Sequence, residues 1–335
     1  DMTGSFVTYN GGELWRMFNL RGPVHFFTFD PSDPNTVYAN SIALFKSTDK
    51  GNTWNAVYPS ASDITSVISK GDHANEVLIT RDSTIRRVQA FAVDPADSKK
   101  LYAVISIDQK TGFYTSADGG SNWAKETDMT AAAGNIFVVP SSPKNKRTIY
   151  IATGDGILAN ENGTWKMNAP PAGVKKLTTY TGGYDSAQQK FIVYAISGLS
   201  YFNPDGDASG IYFTNDGGST WQNRQEGIIS QQSAGAGIPE WRTIATSALH
   251  PATVYISYNN FTIGDTTCIG VAKSEDYGKT WTLVWKDRLA KSGWAVSENF
   301  TGGWLNERFG PTWGENPFSI GVSPVNPAIC YATDF

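Results

Sequence analysis

The sequence predicts an all-β fold of short antiparallel strands on three observations: a Trp-terminated turn motif that recurs, one order of strands repeated around each copy, and few helical patterns. Aromatic residues make up 13% of the 335-residue chain and charged residues only 17%, with 33 glycines, a balance that suits short strands joined by many tight turns.

The motif appears as Ser47-Thr48-Asp49-Lys50-Gly51-Asn52-Thr53-Trp54, Ser116-Ala117-Asp118-Gly119-Gly120-Ser121-Asn122-Trp123, Thr214-Asn215-Asp216-Gly217-Gly218-Ser219-Thr220-Trp221 and Ser274-Glu275-Asp276-Tyr277-Gly278-Lys279-Thr280-Trp281. A fifth copy, Thr8 to Trp15, carries Asn10 in place of Asp, and a sixth, Asn160 to Trp165, is shorter. In such a box the Asp accepts hydrogen bonds from its own turn, Gly takes the left-handed position and Ser or Thr adds local bonds. The Trp opens the next strand and packs beside the turn. Asp49, Asp118, Asp216 and Asp276 are therefore structural residues.

Around each box the strand order repeats. An apolar run ends at a Pro turn (Phe91-Ala92-Val93-Asp94-Pro95), a second strand follows (Leu101 to Ile105), a third enters the box (Gly112 to Ala117), and the Trp opens a fourth. First strands recur at Val24 to Pro31, Arg87 to Pro95, Asn135 to Pro143, Lys175 to Tyr180, Trp241 to Pro251 and Pro317 to Pro324. Four antiparallel strands per repeat predict a β-propeller, six-bladed by count with seven as the alternative, the boxes lying between third and fourth strands. Residues 1–335 read as one propeller domain. Residues 1–18 hold a third and fourth strand and 317–335 a first and second, so the two segments are expected to form the closing blade together and remove exposed sheet edges. A piece of a longer multi-domain protein is the competing expectation.

The net charge of −4 and scattered Lys and Arg argue against a nucleic-acid partner, and no apolar run reaches the roughly 20 residues of a membrane span. Cys268 and Cys330 are too few for a disulfide framework, and His25, His73 and His250 lack metal-ligand spacing. No metal and no cofactor is expected.

In a four-stranded antiparallel blade the boxes share one face, and the second-to-third turns and interblade links lie on the other. That second face receives the long segments 59–84, 199–209, 226–240 and 286–316, where function is expected. They supply Tyr201, Phe202, Trp241, Trp294, Trp304 and Trp313 for stacking on sugar rings, with Arg308 and Asn316 between them. The partner they suggest is an oligo- or polysaccharide. A glycosidase needs two carboxyl groups flanking the scissile bond. Glu315, Glu307, Glu240 and Asp334 are candidates, and burial among Trp304, Phe309 and Trp313 would raise the pKa of Glu315 or Glu307 as an acid requires.

These boxes resemble the Asp-box, or bacterial neuraminidase repeat, propellers, which include sialidases, xyloglucan-hydrolysing endoglucanases and sortilin-like receptors. The chain looks most like the xyloglucanase-like glycoside hydrolases, whose tandem propellers hold a glycan between two catalytic Asp residues. Asp1-Met2-Thr3-Gly4-Ser5-Phe6 is similar to that family's Asp, apolar, Gly, Gly, Ala, Tyr segment, which implies Asp1 as catalytic acid or base, with Thr3 departing from the pattern. The strand expected to carry the second Asp has Ser319 at that place, and Glu315 is the nearest carboxylate. The resemblance implies a secreted, periplasmic or cell-surface protein with a second domain in the parent chain. Sialidase chemistry fits less well, although Arg21, Arg86, Arg87, Arg242 and Arg308 are cationic candidates for an anionic sugar. The alternatives are a non-catalytic glycan- or protein-binding propeller, and a lyase acting on a uronate glycan with His25, Tyr180 or Tyr201 as base.

Overall fold

A continuous apolar run such as Leu101-Tyr102-Ala103-Val104-Ile105 suits a strand covered on both faces, whereas Ala124 to Met129, mostly polar, suits an outer one. The computed structural model, which describes residues 4–70, 75–198, 210–289, 295–297 and 319–333, shows that gradient: the first run is at most 1% exposed, while the second is largely open. The chain divides into two compact units, residues 1–149 and 150–335.

In the first unit, β1 (Ser5–Val7) and β2 (Arg16–Phe18) form a hairpin. Then come β3 (Phe26–Asp30), β4 (Asp33–Asn40), β5 (Leu44–Ser47) and β6 (Asn55–Tyr58), an antiparallel sheet in chain order. A hairpin of β7 (Ile64–Lys70) and β8 (Asn75–Thr80) precedes a second such sheet. That sheet comprises β9 (Arg86–Asp94), β10 (Asp97–Ile107), β11 (Lys110–Ser116) and β12 (Ala124–Met129), and β13 (Ala133–Val138) follows. Tyr38, Leu44 and Tyr58 of one sheet pack with Val88, Phe91, Leu101 and Ile105 of the next. The first strands β3, β9 and β13 are successive neighbours.

The second unit contains β14 (Ile149–Thr153), whose first residue closes the preceding unit, β15 (Gly156–Glu161) and β16 (Thr164–Asn168). The next sheet is β17 (Thr179–Asp185), β18 (Lys190–Ser197), β19 (Gly210–Thr214) and β20 (Gln222–Asn223). After the short helix α1 (Glu226–Ile229) come β21 (Glu240–Thr246), β22 (Val254–Ile263), β23 (Thr266–Ser274), β24 (Thr282–Leu289) and β25 (Ala295–Ser297). A last hairpin pairs β26 (Ser319–Val322) with β27 (Cys330–Thr333). Tyr194, Ile211 and Phe213 pack against Trp241, Ile256, Tyr258 and Trp281, and β21 in turn lies between β17 and β26. Within each unit the same rule holds: sheets stack face to face, first strand beside first strand.

Two expectations need correction. Segment 59–84, read as loop, holds the β7–β8 hairpin, because Ile64, Thr65, Val67 and Ile68 in one strand and Val77, Ile79 and Thr80 in the other are β-branched residues that favour strands. Segment 286–316 continues β24 and adds β25 as a fifth strand before passing outside the described residues.

Candidate functional site

The box turns occupy one end of the sheets. In the first, Ser47 Oγ donates to Asp49 Oδ1 (2.7 Å) and accepts from Gly51 N–H (2.8 Å). Thr53 donates its N–H to Oδ1 (2.8 Å) and its hydroxyl to Oδ2 (2.7 Å). Asp118, Asp216 and Asp276 repeat this pattern with Asn122, Thr220 and Thr280. Even Asn10 keeps the core of it, accepting from Thr8 Oγ (3.0 Å) and Leu14 N–H (3.0 Å). The Thr53 and Asn122 donors hold the Asp49 and Asp118 carboxyls at about 2, against an ordinary 3.8. Burial pushes Asp216 and Asp276 up, yet the bonds from Thr220 and Thr280 more than offset it and both stay below the ordinary value. Both oxygens of every box Asp are thus engaged by their own turn, which leaves these residues to the scaffold.

The residue after each Asp has positive φ: Lys50 (59°), Gly119 (75°), Gly217 (67°) and Tyr277 (64°). Gly217 is needed for a second reason, since a Cβ there would lie 2.5 Å from the Tyr150 ring.

The opposite end of the first unit's sheets holds a cavity of about 910 Å³. Its walls come from the β4–β5 turn (Asn40, Ser41, Ile42), the β10–β11 turn (Asp108, Gln109), the start of β9 (Arg87, Gln89) and β8 (Glu76). His25, just before β3, and Ser106 complete the polar lining. Four of the lining side chains are fastened from behind. Asp108, at φ 53°, accepts Ile85 N–H on Oδ1 (2.9 Å) and donates its own N–H to Ile85 O (2.8 Å). Gln89 donates Nε2–H to Ser106 Oγ (2.6 Å) and accepts Ala133 N–H (3.1 Å). Asn40, 5% exposed, donates to Val88 O (3.1 Å). Glu76 pairs with Arg21 (Nε to Oε2 2.9 Å, Nη2 to Oε1 3.3 Å). Arg87 makes no ion pair or side-chain hydrogen bond among the described residues.

Of the residues singled out from sequence, Asp1, Tyr201, Phe202, Trp294, Trp304, Glu307, Arg308, Trp313, Glu315, Asn316 and Asp334 lie outside the described residues. Trp241 is described, and it is not a stacking platform: it is 4% exposed inside the core of the second unit. Tyr180 is 6% exposed and donates to Thr153 O; burial pushes its phenol far above the ordinary range, the wrong direction for a lyase base. Glu240 opens β21, half-buried, and accepts from Asn260 Nδ2 (3.1 Å). Arg86 is committed to Asp82 at 2.7 Å. Arg87 and His25 stand out in the sequence, whereas Asn40, Gln89 and Asp108 sit in short turns and strand starts with no local signature, and Glu76 lies in the long segment 59–84 on a strand that reads there as loop. Among the described residues no group of three or more His, Cys, Asp and Glu is placed to hold a metal, and no helix is long and apolar enough to cross a membrane.

No protein-family model matches the chain. A xyloglucanase from a Paenibacillus species is 24% identical over 346 residues, covering 92% of this chain. Solved structures of an ancestral GH74 enzyme (TM-score 0.61, 15% identity) and of the GH74 enzyme of Niastella koreensis (0.57, 18%) each align with 99% of the chain. The fold is a β-propeller fold. Adjacent first strands and face-to-face sheets are how that fold buries its blades. The chain spans 30% of the length of the Paenibacillus xyloglucanase, and 41% and 48% of the two GH74 propeller chains.

Proposed function

We propose that this propeller belongs to an extracytoplasmic glycoside hydrolase that cleaves a complex polysaccharide by two-carboxylate acid/base catalysis on the face opposite the boxes. The observation that carries the reading is the contrast between the two ends of the sheets. At one end every box carboxylate is spent on its own turn, and at the other a polar cavity presents carboxylate and amide groups held by hydrogen bonds from behind, beside the Arg87 guanidinium. Its kinship in sequence with a xyloglucanase agrees with this chemistry.

The proposed catalytic groups are Asp1, Glu315 and Glu307, with Trp304, Trp313, Tyr201, Arg308 and Asn316 binding sugar. A second domain of the parent protein would complete the cleft. Residues 1–18 and 317–335 are proposed to close the ring as one blade. The β1–β2 hairpin, with Phe6 58% and Met17 63% exposed, and the β26–β27 hairpin, with Tyr331 54% exposed, each leave apolar surface that such a blade would cover.

The test is reducing-end release by the full-length protein from a panel of plant and host polysaccharides. Glu315→Gln and Glu307→Gln are each expected to lower turnover by roughly 10²–10⁴-fold if the residue is the general acid or base. Full turnover in both variants removes both residues from the mechanism. Binding without release by the unmodified protein would instead make this a non-catalytic glycan-binding propeller.

A further inference from the structure

The fifth Trp-terminated turn, which joins β1 to β2, carries an amide, Asn10, where the four regular boxes carry a carboxylate, and a glycine follows it. In an Asn-Gly pair the glycine nitrogen can attack the side-chain carbonyl carbon, since no Cβ crowds its approach; around Gly11 the space a Cβ would take is open to 4 Å. Three features of this turn favour that reaction. Asn10 Oδ1 accepts the Thr8 hydroxyl (3.0 Å) and Leu14 N–H (3.0 Å), two donors placed to stabilise the negative charge that develops on this oxygen during attack. The leaving nitrogen, Nδ2, stands 3.5 Å from Glu13 Oε2, so a carboxylate is beside it to relay a proton. The attacking group is also free. Gly11 N–H makes no hydrogen bond among the described residues, whereas the same position in three regular boxes is tied to a neighbouring turn: Lys50 N–H to Asn35 O (2.9 Å), Gly119 N–H to Lys99 O (2.8 Å) and Tyr277 N–H to Ala252 O (3.1 Å).

The chain contains its own control. Its other Asn-Gly pair, Asn162-Gly163, is exposed like the first, but there the attacking N–H is already bonded to Asn160 Oδ1 (3.0 Å), and no donor among the described residues engages the Asn162 carbonyl. We propose that Asn10-Gly11 is a self-modifying site that deamidates in the folded protein. Gly11 N bonds to Asn10 Cγ, the Cγ–Nδ2 bond breaks, the proton lost by Gly11 passes to the departing nitrogen, and ammonia leaves a five-membered succinimide behind. Water then opens the ring at either carbonyl, to aspartate or to isoaspartate, and no other reactant is needed. The change runs one way and loosens the hairpin. The regular boxes offer their carboxylate a side-chain donor four residues on, from Thr53, Asn122, Thr220 or Thr280, but Leu14 has none to offer and the new negative charge lies beside Glu13. The site acts in the same way whether or not the chain cleaves a glycan.

The experiment is timed incubation of the full-length protein at mildly alkaline pH in heavy-oxygen water, followed by peptide mass spectrometry that follows Asn10 and Asn162 separately. Asn10 is expected to deamidate about tenfold faster than Asn162, roughly the factor for a nucleophile that need not first break a hydrogen bond. Unfolding in guanidinium chloride removes the turn and should bring the two rates together. Glu13→Gln keeps an acceptor beside Nδ2 but removes the relay, and should slow Asn10 by about tenfold or more while leaving Asn162 unchanged. Asn10→Asp, which carries one of the two products from the start, should melt below the unmodified protein. Equal rates at the two sites in the folded protein overturn the proposal, as does slower reaction at Asn10 or a difference that survives undiminished in guanidinium chloride. An unchanged Asn10 rate in Glu13→Gln removes the relay, and Asn10→Asp melting at or above the unmodified protein removes the loosening.

Discussion

Asp94 and Asp185 hold the same place in the repeat, at the end of a first strand near the box turns, yet the two units fasten them to the following sheet by different chemistry. In the first unit Arg147, 2% exposed, forks onto Asp94, 1% exposed, with Nε to Oδ2 at 2.8 Å and Nη2 to Oδ1 at 2.7 Å, while Tyr102 donates to Oδ2 (2.9 Å). In the second, the tyrosine that follows the box Asp, Tyr277, donates its hydroxyl to Asp185 Oδ2, and Ala187 and Gln188 N–H groups fill Oδ1 (2.9 and 3.0 Å). The indoles diverge in the same way. Trp54 and Trp123 donate to Gly51 and Gly120 of their own turns (3.1 and 3.0 Å), whereas Trp221 and Trp281 reach Ala169 and Arg224, beyond the outer strand of the preceding sheet (3.0 and 2.9 Å). The lesson is that the box Asp is satisfied locally in all four boxes, but a joint between sheets is solved by whatever the neighbour provides: a buried ion pair in one unit, uncharged donors from box residues in the other.

The largest effect is expected from Arg147→Met. It leaves Asp94 buried without its cation and is expected to cost about 3–5 kcal/mol by chemical denaturation. A loss near zero would mean that the ion pair is not the joint. Trp281→Phe should cost less, about 1–3 kcal/mol, because it strands the Arg224 carbonyl while keeping most of the buried ring. Tyr277→Phe removes one donor from the ionised Asp185, which keeps its Ala187 and Gln188 N–H groups, and is expected to cost about 1.5 kcal/mol. Trp54→Phe, whose indole bonds only within its turn, should be the mildest of the four; a cost equal to that of Trp281→Phe would erase the proposed difference between the units.

The carboxylates add a pH dependence. Asp49 and Asp118 sit at about 2 in the folded chain and near 3.8 unfolded, so their contribution is complete above about pH 4 and disappears as pH falls towards 2. Burial pushes Asp94 and Asp185 up, but Arg147 and Tyr277 with nearby amides outweigh it, so both are also below the ordinary value and lose their contribution on the acid side. Melting temperature should therefore fall steeply with acid below pH 4, and Asp118→Asn should flatten that slope. An unchanged slope contradicts the assignment of the box carboxylates.

These contrasts also show what a linear sequence makes legible. The box turn lies within eight residues, so Ser, Asp, Gly and Trp announce it before any coordinates. The strand order follows from apolar runs between those turns. The Asp94–Arg147 joint spans 53 positions and has no local signature. Trp241 misleads for a related reason. Next to Gly237-Ile238-Pro239 it reads as a loop aromatic, but it is the second residue of β21, where alternation turns it towards the neighbouring sheet while Glu240 and Arg242 stay half-open. The cavity was half visible: Arg87 and His25 stand out as polar groups near first-strand starts, whereas Glu76 joins them only through a hairpin that the turn-rich surroundings disguise.

The box end of these sheets holds the propeller together, and the opposite end is the one we propose meets the glycan. The most direct test of that division is Asp276→Ala in the full-length protein, with melting temperature and polysaccharide turnover measured on the same sample well below the transition. Melting temperature should fall, by roughly 1–2 °C per kcal/mol lost at this size, with turnover within twofold of the unmodified protein. A collapse of turnover at unchanged melting temperature would contradict it.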